Sequence, residues 1–118
     1  KNKNPSVKYL VCSAGVGFNG AFEELTTENI AKMIDINVRA LTSFTHTVLP
    51  FVTSDGRIIE IASSAGFMPQ PYFSVYSATK SYVISFSYAL RAELKKKKIC
   101  LVLFYFSYNS RFFYYTHY

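Results

Sequence analysis

A chain of 118 residues, half of them hydrophobic and only 17% charged, can bury a core and is not composed like a disordered segment, but it is long enough for one domain at most. The formal charge of +6 is a local feature: Lys95, Lys96, Lys97, Lys98 and Arg111 all follow the last acid, Glu93, and residues 1–94 hold eight cations against seven acids, a net of +1. One lysine run makes no groove-sized basic surface, so no nucleic-acid partner is expected. The longest apolar run, Ile99 to Phe106, is far short of the roughly 18 residues that mark a membrane span.

Cys12 and Cys100 fall inside apolar runs, where a thiol is ordinarily a small buried hydrophobe, and a disulfide framework is not expected. The chain opens at Lys1 without a charged-then-apolar leader, which makes a cytoplasmic location the default expectation.

Tyr9 to Cys12 is a short apolar run stopped by Ser13-Ala14-Gly15, the pattern of a buried strand followed by a turn. Gly15, Gly17 and Gly20 satisfy the spacing G-x-G-x-x-G. The segment that follows is helical in pattern and supplies no acidic residue on a next strand, so the match is not read as a dinucleotide fingerprint.

Thr26 or Thr27 can cap a helix with Glu28 in its first turn, and Ile30, Ile34, Leu41, Phe44, Val48 and Phe51 recur at spacings that keep one side buried. Asn37 stands midway between Ile34 and Leu41 in that stripe. A buried amide there must find partners or cost about 1–3 kcal/mol; a bond to neighbouring backbone and a functional role both account for it.

Pro50 and Ser54-Asp55-Gly56 close the helix and turn the chain. Arg57 to Ala62 reads as a second strand, ending in Ser63-Ser64-Ala65-Gly66. A loop with Pro69 and Pro71 leads to a helix over 75–94 whose apolar stripe is Val83, Phe86, Leu90 and Leu94. Lys95 to Lys98 then meet the negative end of the helix dipole as a solvated helix end. Ile99 to Leu103 is a third strand. Strand and helix alternate, which implies an α/β fold with a parallel sheet and right-handed crossovers. Ligands bind such sheets beyond the carboxyl ends of the strands, where Ser13 and Ser63 lie.

Tyr76 and Lys80 begin the second helix four residues apart, on one face, with Cβ atoms roughly 5–6 Å apart. At about 5 Å and an effective dielectric of about 20, the ammonium stabilises a phenolate by roughly 3 kcal/mol. Ser77, Ala78 and Thr79 between them are small enough for a ligand and a neighbouring loop to approach. A Ser63 hydroxyl at the adjacent strand end could bond a substrate oxygen while the phenol exchanges a proton with it.

Ser63, Tyr76 thirteen positions later and then Lys80 resemble the catalytic signature of the classical short-chain dehydrogenase/reductase family. IIEIASSAGF, VYSATK, the DINVRAL that carries Asn37, and LVCSAGVG, which is similar to the family's N-N-A-G segment, agree in order from about residue 7 to 103. The resemblance implies a partial Rossmann-like, doubly wound parallel sheet of about three strands with two long helices. Residues 7–103 would be the catalytic half and residues 104–118 an aromatic tail. That tail holds nine aromatics and neither Pro nor Gly, and it resembles translated non-coding or out-of-frame sequence.

The reaction so implied is reversible hydride transfer between NADP or NAD and a ketone or secondary alcohol, 3-oxoacyl or hydroxysteroid-like substrates being the nearest guess. Tyr76 would be general acid and base, and Ser63, favoured over Ser64 by its spacing, would polarise the substrate oxygen. Lys80 would bond the nicotinamide ribose and favour the phenolate, and Asn37 would hold a water in the proton relay. Ser13, Ala14 and Gly15, with Tyr76 and Lys80, would line the cofactor. Tyr72, Phe73 and Val75 shape the substrate mouth or simply pack. The family's phosphate-binding glycine loop belongs upstream of Lys1, so the chain alone is expected to be inactive, and NAD cannot be told from NADP. A homo-oligomer like the family's is compatible with the resemblance, which does not determine the oligomeric state. The alternative is a truncated fragment or pseudoenzyme without cofactor binding, at most an interaction module. His46 and His117 have no partner at metal spacing and no metal site is expected.

Overall fold

The computed structural model describes residues 4–107 and the backbone of 114–116. Most of the aromatic tail, with Arg111 and His117, lies outside the described residues.

Strand β1 (Val7–Cys12) is followed by a nearly continuous helix made of α1 (Thr27–Ile34), a π-helical segment (Asp35–Ala40) and α2 (Leu41–Val48). Then come β2 (Val52–Ser63), the 21-residue helix α3 (Ser74–Leu94), β3 (Cys100–Phe106) and β4 (Tyr114–Thr116). The sheet order is β1-β2-β3-β4. The first three strands are parallel, as the alternation of strands and helices predicts, and β4 pairs antiparallel with β3. Leu10, Ile58 and Leu101 lie abreast, and two residues on so do Cys12, Glu60 and Leu103. These rows, with Ala62 and Tyr105, face Leu41, Val83 and Leu94 of the helices and make one core. Ile58 and Val83 are fully buried, each such side chain contributing about 1.5–3 kcal/mol.

Thr26 is the cap of α1, its Oγ1 accepting the Asn29 N–H at 3.1 Å. The buried face of this helix differs from the expected stripe: Ile34, Phe44 and Phe51 are exposed, while Met33, Asn37, Leu41 and Thr45 are buried. Four-residue steps overshoot a 3.6-residue turn, so a regular helix would rotate this row out of the core. The wider turn of the π-helical segment takes up that drift and keeps all four buried.

Ser54-Asp55-Gly56 was expected as a turn and instead lies inside β2. Val7 pairs with Val52 but Tyr9 with Arg57, so the extra residues are absorbed as a bulge between those pairs. Gly56 is required there, because a Cβ would lie 2.6 Å from Val52 Cγ1 and 2.9 Å from the Thr53 carbonyl oxygen. Pairing in β3 continues past Leu103 to Phe106. Lys95 to Lys98 are exposed, the solvated helix end expected, and Lys98 takes the left-handed conformation (φ 57°) that ends the helix before β3.

No helix among the described residues is long and apolar enough to cross a membrane. On the sheet face away from the helices, Tyr9 and Val11 of β1 are 60% and 52% exposed, although parallel strands are ordinarily covered on both faces. Concentration-dependent association is the expected result, read by size-exclusion chromatography; a compact monomer at every concentration would contradict it.

Candidate functional site

A cleft of about 880 Å³ opens at the carboxyl ends of β1, β2 and β3, lined among others by Ser13, Gly15, Ser63, Tyr76, Lys80 and Phe106. A serine cap and the packing of the following turn against α3 bring these residues together. Ser63 ends β2 and caps the turn Ser64–Gly66, its Oγ accepting the Ala65 N–H at 3.2 Å. Its own hydroxyl proton is therefore available to an oxygen in the cleft. Gly66 then lies flat against α3: a Cβ there would stand 2.8–2.9 Å from the Lys80 backbone and 2.5 Å from Ile84 Cδ1, and Ser81 Oγ donates to its carbonyl. The serine turn is thus clamped to the helix turn that carries Lys80.

Lys80 is 6% exposed. Its ammonium stands over the Tyr76 ring, 5.7 Å from the centroid, and donates to the Ile61 carbonyl at 3.3 Å. Burial pushes the lysine below its ordinary pKa, because a cation held away from water has lost hydration. One of its three donors is spent on Ile61.

Asn37 does not line the cleft; it builds the wall behind it. Oδ1 accepts the Val16 N–H at 2.9 Å, while Nδ2 donates to the Val16 carbonyl at 2.7 Å and to Thr79 Oγ1 at 3.0 Å. Thr79 in turn donates to the Tyr76 carbonyl at 2.7 Å. Both amide protons are spent, so for any water the side chain can only accept. The clamp on Val16 seats its two glycine neighbours under α3. A Cβ on Gly15 would be 3.2 Å from the Lys80 ammonium, and one on Gly17 would be 3.0 Å from the Tyr76 ring.

Ser13 and Gly15 line the cleft beside Ser63, Tyr76 and Lys80; Ala14 is exposed and is not among the lining residues. Of the aromatics near the mouth, Phe73 lines the cleft and packs edge-on against Tyr76. Tyr72 lies outside it in the left-handed region (φ 66°), its carbonyl held by the Gly20 N–H at 2.9 Å. Val75 instead lines a separate apolar groove of about 520 Å³ with Phe22, Ile34 and Tyr82. Sequence reasoning missed Thr79 and Gly17. The pair Gly15, Gly17 carried a usable signal: glycines two apart after a strand mark a close approach of other groups to the backbone.

A parallel α/β sheet with a cleft at its carboxyl edge is the architecture of the doubly wound class. Residues 1–107 match the family model of the short chain dehydrogenases, and the chain belongs to that family. The 2-dehydro-3-deoxy-L-rhamnonate dehydrogenase (NAD(+)) of Sphingomonas sp. (strain SKA58) is 38% identical over 96 residues, 79% of this chain and 39% of that protein. An 11-beta-hydroxysteroid dehydrogenase of Pinus massoniana is 39% identical over 95 residues, 79% of this chain and 27% of the relative. The very-long-chain 3-oxoacyl-CoA reductase of Rattus norvegicus is 44% identical over 72 residues, 59% of this chain and 23% of the relative. Among solved structures, the 3-ketoacyl-(acyl-carrier-protein) reductase of Brucella melitensis complexed with NADH superimposes with a TM-score of 0.77 at 30% identity, covering 83% of this chain and 43% of that one. A landomycin C-6 ketoreductase with bound NADP gives 0.76 at 26% identity, covering 81% and 39%. The chain thus spans less than half the length of each of these proteins.

Proposed function

We propose that residues 7–103 are the catalytic half of an NADP- or NAD-dependent oxidoreductase that interconverts a ketone and a secondary alcohol. What carries the reading is the convergence of Ser63, Tyr76 and Lys80 on one cleft, from a strand end and a helix start. The donor set suits the ribose of a nicotinamide nucleotide: a buried ammonium with unspent protons, and a side-chain-free approach at Gly15. Lys80 would hold that ribose, with the Tyr76 ring, Ser13 and Gly15 alongside. The nicotinamide, when bound, supplies or accepts the hydride.

In reduction, the Tyr76 hydroxyl gives its proton to the carbonyl oxygen as the carbon gains hydride, and the resulting phenolate is stabilised by the ammonium at 5.7 Å from its ring. Ser63 donates to the same substrate oxygen and holds it within the phenol's reach. Oxidation runs the same transfers backwards. Met68, Phe73 and Phe106 give the cleft an apolar mouth, which favours a bulky apolar carbonyl of the 3-oxoacyl or hydroxysteroid kind named in the relatives.

The cofactor-facing donors address only one end of a dinucleotide, and the relatives are more than twice as long. The 118 residues alone are therefore expected to show no micromolar binding of NADPH or NADH, measured by tyrosine fluorescence quenching and by protection from unfolding. Clear micromolar binding by this chain would refute that expectation and exclude the pseudoenzyme alternative.

A further inference from the structure

Glu60 has no part in the chemistry above, yet among the described residues it is the one carboxylate in the core. It is 0% exposed, in the middle strand, between Cys12 of β1 and Leu103 of β3. Oε1 accepts a hydrogen bond from Thr45 Oγ1 of α2 at 3.0 Å, and Oε2 has no hydrogen-bond partner. Thr45 Oγ1 also contacts Cys12 Sγ at 3.6 Å. Among the described residues Glu60 makes no ion pair. The thiol facing it from β1 is pushed up to about 11 by its own burial and so stays protonated and neutral. Thr45 and Leu103 do not titrate. His46, next to Thr45, is exposed. The buried cation of α3, Lys80, directs its ammonium to the Ile61 carbonyl. A carboxylate held by one hydroxyl in such a layer costs far more than the neutral acid, whose unpaired oxygen carries no full charge.

We propose that Glu60, with Thr45 and Cys12, is a buried proton-binding site that couples the seating of α2 on the sheet to pH. The chain folds with the carboxyl protonated, and its ionisation loosens the joint between α2 and strands β1 and β2. That joint lies just beneath the cleft, since Cys12 precedes Ser13 and Glu60 stands three residues before Ser63.

Burial raises the Glu60 pKa from 4.5 to about 7. With the folded-state value above the unfolded one, the folded chain binds more protons between them. The stabilisation is fully present below about 4.5 and is lost as pH rises through about 7. Urea unfolding of the full chain is expected to show a folding equilibrium constant that falls by about tenfold or more between pH 5 and pH 8. Glu60→Gln, which keeps the neutral shape, should lose that dependence and be the more stable protein at pH 8. Parallel pH profiles for the two chains would overturn the proposal. Should the variant not fold, carboxyl ¹³C NMR of the unaltered chain decides. One of its five glutamates titrating near neutrality supports the site, and all five titrating in the ordinary carboxylate range overturns it.

Discussion

Tyr76→Phe is expected to lower turnover by about 10²- to 10⁴-fold in a chimera that joins residues 7–103 to the nucleotide-binding half of a relative, with cofactor affinity nearly unchanged. The substitution removes one oxygen and leaves the ring. The edge contact with Phe73, the ammonium over the ring face and the seat on Gly17 all belong to the ring and survive. What disappears is the proton that reduction must deliver. Steady-state kinetics and a cofactor titration on the same pair of proteins separate the two effects. Substantial remaining turnover would remove Tyr76 from the acid–base role, whereas a fall in cofactor affinity as large as the fall in turnover would make its contribution one of binding. Ser63→Ala, which removes a donor to the substrate oxygen and leaves the phenol, gives the comparison within the same site.

Asn37→Leu is the substitution expected to cost the most stability, about 2–4 kcal/mol. A leucine suits the volume and apolar surroundings of a position 1% exposed, so a purely hydrophobic account predicts little change or a gain. The amide, however, makes three bonds. Removing it takes their partner from the part-buried Val16 N–H and carbonyl and takes away the donor to buried Thr79, and a group orphaned away from water costs about 1–3 kcal/mol. The damage would also reach the cleft, since Val16 holds Gly15 and Gly17 against Lys80 and Tyr76. Urea denaturation measures it. An unfolding free energy within about 0.5 kcal/mol of the unsubstituted chain's, the range of an ordinary surface change, would mean that the Asn37 network is dispensable.

The two residues show different degrees of legibility. Tyr76 and Lys80 could be paired from sequence because they share one helix, and the 3.6-residue repeat fixes their relation without further information. Ser63 could be added because strand ends in a parallel sheet lie along one edge. Asn37 could be recognised as out of place in an apolar stripe, but its partners Val16 and Thr79 are 21 and 42 residues away, and no local rule identifies contacts at that separation. The expected stripe itself was rotated, with Ile34 and Phe44 outside and Met33 and Thr45 inside, because the π-helical segment changes the phase partway along the helix.

Read alone, the amino-acid order determined the alternation of strands and helices, the parallel sheet, and the helix face that carries a phenol and an ammonium together. All of these follow from periodicities that act within a single element. Only the tertiary structure decided that the serine turn is locked to α3 through Gly66, that an asparagine clamps the Val16 peptide behind the cleft, and that a glutamate from the middle strand lies under α2 with one hydroxyl for company. Those outcomes depend on how separate elements come into register, and side-chain burial and unmet hydrogen bonds take on definite values only after the layers have packed.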